Sequence, residues 1–162
     1  MKLSIALCTF NGERYLADQL ESIAGQTRLP DELVVCDDGS DDQTAAILAS
    51  FAERVPFKVS FCVNAERLGA TQNFARAFSL CSGDVILPCD QDDVWEPEKL
   101  ALLEQAFDGD PELHLAFHDL AVITPDGHLT GQTQWERLGF GRRLQADLNQ
   151  GRAFDHLLRF NV

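Results

Sequence analysis

Positive charge is scarce in this sequence. Its 162 residues carry 13 Lys+Arg against 26 Asp+Glu, a formal net charge of −13 at pH 7. A field of that sign repels phosphate backbones and anionic bilayers, which argues against general binding to nucleic acid or membrane surfaces. Long hydrophobic runs are missing as well, none approaching the roughly 18–20 residues of a transmembrane helix. The N-terminal run Leu3 to Cys8 has a strand's length, without the longer apolar core and cleavage site of a signal peptide. A cytoplasmic protein is expected, with peripheral membrane association left open. There is no CxxC, HExxH, GxSxG or P-loop. The five cysteines, Cys8, Cys36, Cys62, Cys81 and Cys89, are odd in number and unpatterned. They are expected as reduced thiols that pack as small hydrophobes.

What is present is an ordinary globular composition, 45% hydrophobic and 24% charged. The length suits one domain over residues 1–162. Two hydrophobic periods alternate along the first half. Leu3–Cys8, Glu32–Cys36, Phe57–Val63 and Asp84–Cys89 are predicted strands, the third at a sheet edge. Arg14–Ala24 and Thr71–Cys81 carry apolar residues at helical spacing. A third helix is expected to start at a capping box of Ser40 and Gln43 and run to about Ala52, burying Ala45, Ile47, Leu48 and Phe51. Pro97 is expected at the first position of a fourth helix running to about Phe107. Leu113–Thr124 should hold one or two strands closed by the turn Pro125-Asp126-Gly127, and Ala153–Phe160 a short helix.

Strand–helix alternation predicts an α/β fold, a mainly parallel sheet with helices on both faces. Ligands of such sheets bind beyond the carboxyl ends of the strands. That rule selects Thr9-Phe10-Asn11-Gly12, Asp37-Asp38-Gly39-Ser40 and Asp90-Gln91-Asp92-Asp93. In an extended segment, Asp90 and Asp92 point the same way and can face one cation. Mg²⁺ or Mn²⁺ takes one or two protein carboxylates and completes its shell with water and substrate phosphate oxygens. A solvated acidic turn is the plainer alternative. Asp38 could accept from a base or ribose, or serve only its loop. Arg67 could neutralise phosphate or lie idle on the surface. Trp95 could pack beneath the acidic loop or offer a platform to a sugar ring.

At these segments the chain resembles the family 2 glycosyltransferases, nucleotide-sugar-dependent enzymes of GT-A fold. The residues that carry the resemblance are Ser4–Glu13, Leu20–Thr27, Val35–Thr44, Asn64–Gly69 and Ser82–Trp95, with Phe117-His-Asp119 and Asp126-Gly127 continuing it. The Asp90–Trp95 loop is similar to that of the rhamnosyltransferase-like subgroup. The resemblance implies a three-layer α/β/α sandwich and a transfer from a UDP- or dTDP-sugar to a glycan or lipid-linked acceptor, inverting and Mg²⁺- or Mn²⁺-dependent, in cell-surface polysaccharide synthesis. It implies that Thr9, Asn11, Glu13, Asp38 and Asn73 line the base and ribose, and that Gln91 and Asp93 lie near the donor sugar or diphosphate. It further implies that Asp90 and Asp92 form the DxD metal site.

Family members are longer, and their acceptor half supplies an Asp or Glu as general base. No base can be placed in this chain, neither Asp119, which matches a donor-side position, nor Asp147 or Asp155. The base is therefore expected beyond Val162, where the sequence stops within an apolar element. The chain is expected to be the donor-binding part of a longer enzyme. It would turn over only if completed, or act as a nucleotide-sugar-binding module. An apolar face left uncovered would favour a homodimer or low stability. Asp90-Gln-Asp-Asp-Val94 also fits the nucleophile motif of haloacid-dehalogenase-type phosphohydrolases. Three strands precede it here, however, and the one lysine after it, Lys99, falls in a predicted helix.

Overall fold

The computed structural model describes residues 1–141 together with Ala146. The helix expected over Ala153–Phe160, with Asp147, Asp155 and the terminal Val162, lies outside the described residues. The chain divides into two compact units, residues 1–114 and 115–162.

The first unit runs β1 (Leu3–Thr9), α1 (Leu16–Ala24), β2 (Glu32–Asp37), α2 (Thr44–Ala52), β3 (Lys58–Val63), α3 (Ala70–Leu80), β4 (Val85–Asp90) and α4 (Lys99–Gly109). The four strands form one sheet in the order β3-β2-β1-β4, every pair parallel. β1 and β2 are apolar on both faces and buried throughout, as strands covered by two helical layers must be. Alternate residues then serve different cores. Leu3, Ile5 and Leu7 join Leu33, Val35, Leu87 and Cys89 beneath Leu16, Leu20 and Ile23 of α1, Leu48 and Phe51 of α2 and Leu100 of α4. Ala6, Cys8 and Cys36 face the other way, against Ala77 of α3. The division follows from handedness. From β1 to β3 the chain steps outward, so right-handed crossovers put α1 and α2 on one face. From β3 it steps back across to β4, so the same hand puts α3 on the opposite face.

This reversal makes a switch point in the strand order, where β1 and β4 lie side by side, while the helices that follow them, α1 and α4, pack on the same face. The register Thr9↔Asp37, Asp37↔Val63 and Cys8↔Asp90 brings all four carboxyl ends to one rim. At the opposite end of β2, Glu32 is 1% exposed. It accepts from Ser4 Oγ (2.6 Å), Ser82 N (2.6 Å) and Ser82 Oγ (2.9 Å), with Lys2 and Lys58 ammonium groups at 3.6 and 3.7 Å. Burial alone would raise its pKa, but these donors outweigh it and bring the carboxyl down to about 2.

Several boundaries differ from the sequence expectation. The Ser40–Gln43 capping box does not form. Ser40 Oγ instead donates to Asp37 and accepts from Asn11 N, and α2 begins at Thr44, whose N–H donates to Asp42 Oδ1 at 2.9 Å. Ala45 is exposed, since Thr44, Leu48 and Phe51 make the inward stripe. Pro97 stands two residues before α4, in a turn, because Glu96 O and Pro97 O are used by Gln26 and Thr27 of the neighbouring loop. Residues 113–120 form no strand.

The second unit has a hairpin of β5 (Ala121–Ile123) and β6 (Leu129–Thr133), antiparallel, closed at the expected turn with Gly127 at φ 79°. A short helix α5 (Gln134–Leu138) follows, opened by a capping box between Thr133 and Glu136. Phe117, Trp135 and Phe140 make its aromatic cluster, with ring centres 4.9–6.1 Å apart.

Candidate functional site

Three loops meet at the rim of the parallel sheet. The first, after β1, turns sharply because Asn11 adopts φ 48°, a left-handed value that asparagine tolerates. It is stitched to the loop after β2 by five hydrogen bonds. Asn11 N donates to Ser40 Oγ (2.9 Å), Gly12 N to Thr44 Oγ1 (2.9 Å) and Glu13 N to Asp42 Oδ2 (3.0 Å). In return Asp41 N donates to Asn11 Oδ1 (3.0 Å) and Gln43 N to Glu13 Oε2 (3.1 Å).

The third loop, after β4, is clasped to the first by one side chain. Gln91 Oε1 accepts from Phe10 N at 2.8 Å and Gln91 Nε2 donates to Phe10 O at 3.1 Å. This pair continues the β1–β4 ladder by one rung across the switch point. A Cβ at Gly12 would lie 2.5 Å from Gln91 Oε1, so any side chain there would have to displace the Gln91 amide.

The acidic residues divide into two kinds. Asp37 and Asp38 are 2% and 4% exposed and surrounded by donors. Asp37 accepts from Thr9 Oγ1 (2.6 Å), Gly39 N (3.2 Å) and Ser40 N (2.8 Å). Asp38 Oδ1 accepts from Asn64 Nδ2 (2.8 Å) and Leu68 N (2.7 Å), and Oδ2 from Gly69 N (2.8 Å). Gly69 holds φ 79° there, which places its N–H. Arg67 Nε stands 3.9 Å from Asp38 Oδ2, and its guanidinium covers the Phe10 ring at 3.7 Å. Burial by itself would raise the Asp38 pKa, but the Leu68, Asn64 and Gly69 donors and Arg67 hold it below the usual carboxylate range.

Asp90 and Asp92 differ. Neither carboxylate accepts a hydrogen bond among the described residues. Partial burial and then the neighbouring charge of Asp92 push the Asp90 pKa up. Two neighbouring carboxylates without protein donors are a set that a divalent cation fits, provided phosphate or water completes its shell. Among the described residues no three His, Cys, Asp or Glu side chains gather into a protein-only metal cage.

The structure therefore brings Thr9, Asn11, Glu13, Asp38, Gln91, Asp90, Asp92 and Asp93 to one rim, with Asn73 beneath it. Thr9 and Asn73 are 2% exposed and spent on support. Asn73 Nδ2 donates to Cys36 O (2.8 Å) and its Oδ1 accepts from Asn64 Nδ2 (2.8 Å). Trp95 is 5% exposed within the main core, the packing alternative of the two weighed. Asp119 belongs to the second unit, where it accepts from Leu120 N (2.8 Å) and Trp135 N (2.9 Å). The five cysteines are free thiols, and burial pushes Cys8 and Cys36 up to about 12. A groove of about 380 Å³ between α1 and α2 is lined by none of the candidate residues. The sequence did not single out Gln91 as a clasp, nor Asn64 and Asp42 as supports. Their partners lie up to 81 residues away, and local spacing carries no trace of them.

Comparison with known proteins points the same way. A family model described as glycosyl transferase family 2 matches residues 4–156. The uncharacterized glycosyltransferase alr2836 of Nostoc sp. is 32% identical over 150 residues, covering 91% of this chain and 44% of that protein. The crystal structure of S. aureus TarS 1-349 in complex with UDP matches with a TM-score of 0.59 at 31% identity, over 67% of this chain and 32% of that one. The mannosyltransferase PcManGT from Pyrobaculum calidifontis, in complex with GDP-Man and Mn²⁺, matches in fold with a TM-score of 0.63 at 23% identity, over 77% of this chain and 36% of that one. The chain spans less than half the length of the curated relative it matches.

Proposed function

The chain belongs to glycosyl transferase family 2 and has the GT-A fold, and on that premise we propose that it is the donor-binding part of a sugar transferase. The donor is a UDP- or dTDP-sugar. The acceptor is a glycan or lipid-linked saccharide of cell-surface polysaccharide synthesis, and the transfer inverts the anomeric centre. The observation that carries the proposal is the Gln91 clasp on Phe10, which holds the Asp90–Asp93 loop at the switch point. A neighbour bound to UDP supports the choice of base. The reduced thiols fit a cytoplasmic enzyme working at the inner membrane face. No described helix is long and apolar enough to cross a membrane.

Asp90 and Asp92 would hold Mg²⁺ or Mn²⁺. When bound, the ion offsets the charge that builds on the departing diphosphate. The protein's own residues do the rest by position. Asn11 and Glu13 fix the loop beside the base, with Thr9 and Asn73 bracing it from below. Asp38 holds the 64–69 segment closed around that pocket. Gln91 and Asp93 set the loop that faces the donor sugar. The acceptor hydroxyl needs a base to take its proton, and none of the described residues is assigned that role. In this reading the base belongs to residues that would follow Val162 in a longer chain. The alternative is a module that binds donor without turnover.

Calorimetric titration of UDP, dTDP, GDP and ADP, with Mn²⁺ and then with EDTA, tests the proposal. One pyrimidine diphosphate should bind with Mn²⁺ and be released by EDTA. Asp92→Asn should weaken that binding at least about tenfold, or ~1.4 kcal/mol. Turnover by a chain lengthened past Val162 to match its relatives, and none by this one, would separate enzyme from module. No nucleotide bound by the lengthened chain would overturn the donor site.

A further inference from the structure

The segment Leu20–Thr27, one of those that carry the family resemblance, lies outside the three rim loops. It spans the end of α1 and the turn after it. Together with Gln19 just before it, this stretch buries polar side chains on a helix whose inward stripe is otherwise Leu16, Leu20 and Ile23. Gln19 is fully buried, Gln26 is 5% exposed and Ser22 is half-buried. Buried polar groups must find partners, and the partners of these three flank the acidic loop.

Gln19 Nε2 donates at 2.7 Å to Sγ of Cys89, the residue before Asp90. Ser22 Oγ donates back to Gln19 O (2.7 Å) and accepts from Trp95 N (3.0 Å). Gln26 Nε2 donates to Ser22 O (3.0 Å) and Glu96 O (2.8 Å), and Gln26 Oε1 accepts from Leu100 N (3.0 Å). Thr27 N donates to Pro97 O at 2.9 Å. Cys89 enters the acidic loop and Trp95 to Leu100 leave it, so both ends of the loop are tied to the end of one helix.

Capping explains only part of this. Carbonyls in the last turn of a helix and N–H groups in the first turn lack partners within it. Gln26 satisfies one of each, Ser22 O of α1 and Leu100 N of α4. The Gln26 bond to Glu96 O and the Ser22 bond to Trp95 N cap neither helix. They fix the backbone where it leaves the acidic loop. The Trp95 indole supplies no such tie, since its buried Nε1–H has no partner among the described residues. With Gln91 clasped to Phe10 in the middle, the stretch from Cys89 to Trp95 is held at three points, and Asp90 and Asp92 lie between them.

We propose that Ser22 and Gln26 are positioning residues of the donor site: by fixing the exit of the acidic loop to the end of α1, they hold Asp90 and Asp92 at the rim before a cation arrives. The proposal rests on the reading of those two aspartates as cation ligands. A loop that is only part of the time in place lowers apparent affinity by that fraction. A merely structural role would lower stability and leave the affinity of the folded chain unchanged.

Ser22→Ala removes the acceptor of Trp95 N, and Ser22→Thr keeps it. The net contribution of one hydrogen bond corresponds to roughly two- to tenfold in an equilibrium constant. Calorimetric titration of UDP with Mn²⁺ should show at least about threefold weaker binding to folded Ser22→Ala, and binding within about twofold of wild type for Ser22→Thr. Gln26→Glu keeps the acceptor for Leu100 N but sets an oxygen against Glu96 O, and should weaken binding in the same way. Equal affinity of wild type and Ser22→Ala overturns the proposal. A second measurement needs no nucleotide. Exchange of the Trp95 amide hydrogen, followed by NMR, should quicken in Ser22→Ala at least about threefold more than exchange at Ile5 and Leu7 of β1. Equal quickening at all three overturns the tie, and the proposal with it. Selective quickening without any Mn²⁺–UDP binding by the lengthened wild-type chain overturns the donor site instead, and with it the cation half of the proposal, while the tie stands.

Discussion

Asp38→Asn distinguishes a residue that binds ligand from one that builds the pocket. Asp38 accepts three hydrogen bonds at 2.7–2.8 Å from Asn64, Leu68 and Gly69, with 4% of its surface exposed. Asparagine offers one acceptor oxygen. If that oxygen stays with Asn64 and Leu68, the new amide NH₂ meets the Gly69 N–H, donor against donor. A hydrogen bond to a charged group contributes about 1.5–3 kcal/mol, and an orphaned buried donor costs about 1–3 kcal/mol. The two overlap, so the expected loss is about 2–4 kcal/mol. With a urea slope of about 2 kcal/mol per molar, the unfolding midpoint should fall by ~1–2 M. Trp95 and Trp135 report on separate units by fluorescence, and the loss should register at Trp95. Asp41→Asn is the control, an exposed position expected to stay within about 0.5 kcal/mol. If Asp38→Asn also stays within about 0.5 kcal/mol, the carboxylate does not hold the 64–69 segment and the structural account of this loop fails.

Gly12→Ala should push its methyl into Gln91 Oε1 and open the clasp on Phe10. Mn²⁺-dependent UDP binding should fall at least about tenfold, and binding equal to wild type would show that the loop holds its place without the clasp. Glu32 titrates near 2 in the fold against an ordinary 4.5, so its contribution is complete above about pH 4.5 and is lost as pH falls toward 2. Glu32→Gln should therefore be less stable than wild type at pH 7 and lose less between about pH 4.5 and 2.5; parallel melting curves across that window would refute the assignment.

How much of this was legible in the sequence depended on how far apart the partners lie. The runs Leu3–Cys8 and Glu32–Cys36 announce buried parallel strands because apolar residues are needed on both faces. The helices follow from spacing, and the acidic ends of β2 and β4 from their position after those runs. The capping box at Ser40–Gln43 misled, since the same hydroxyl served a tertiary bond to Asn11 and Asp37 and was not free to cap. Residues 113–120 were apolar enough for a strand, but none forms there. Asp38 stood out as an acidic residue just past a strand, but its partners 26 to 31 residues away had no local signature. The fold was legible and the wiring of the rim was not.

That wiring explains how a chain of net charge −13 can keep four aspartates at one sheet rim. Each carboxylate brought close to others raises the cost of ionising them, unless donors or a cation compensate. Asp37 and Asp38 are compensated from within, by backbone N–H groups, hydroxyls, Asn64 and Arg67. Their charge is consumed in fixing loops. Asp90 and Asp92 find no such donors among the described residues, and partial burial together with the charge of Asp92 raises the Asp90 pKa. In the proposed reading, a site that takes up and releases a cation with its nucleotide gains from this division. Were all four acids satisfied internally, no cation would be drawn to the rim; were none satisfied, the loops that shape the pocket would have no anchor until one arrived.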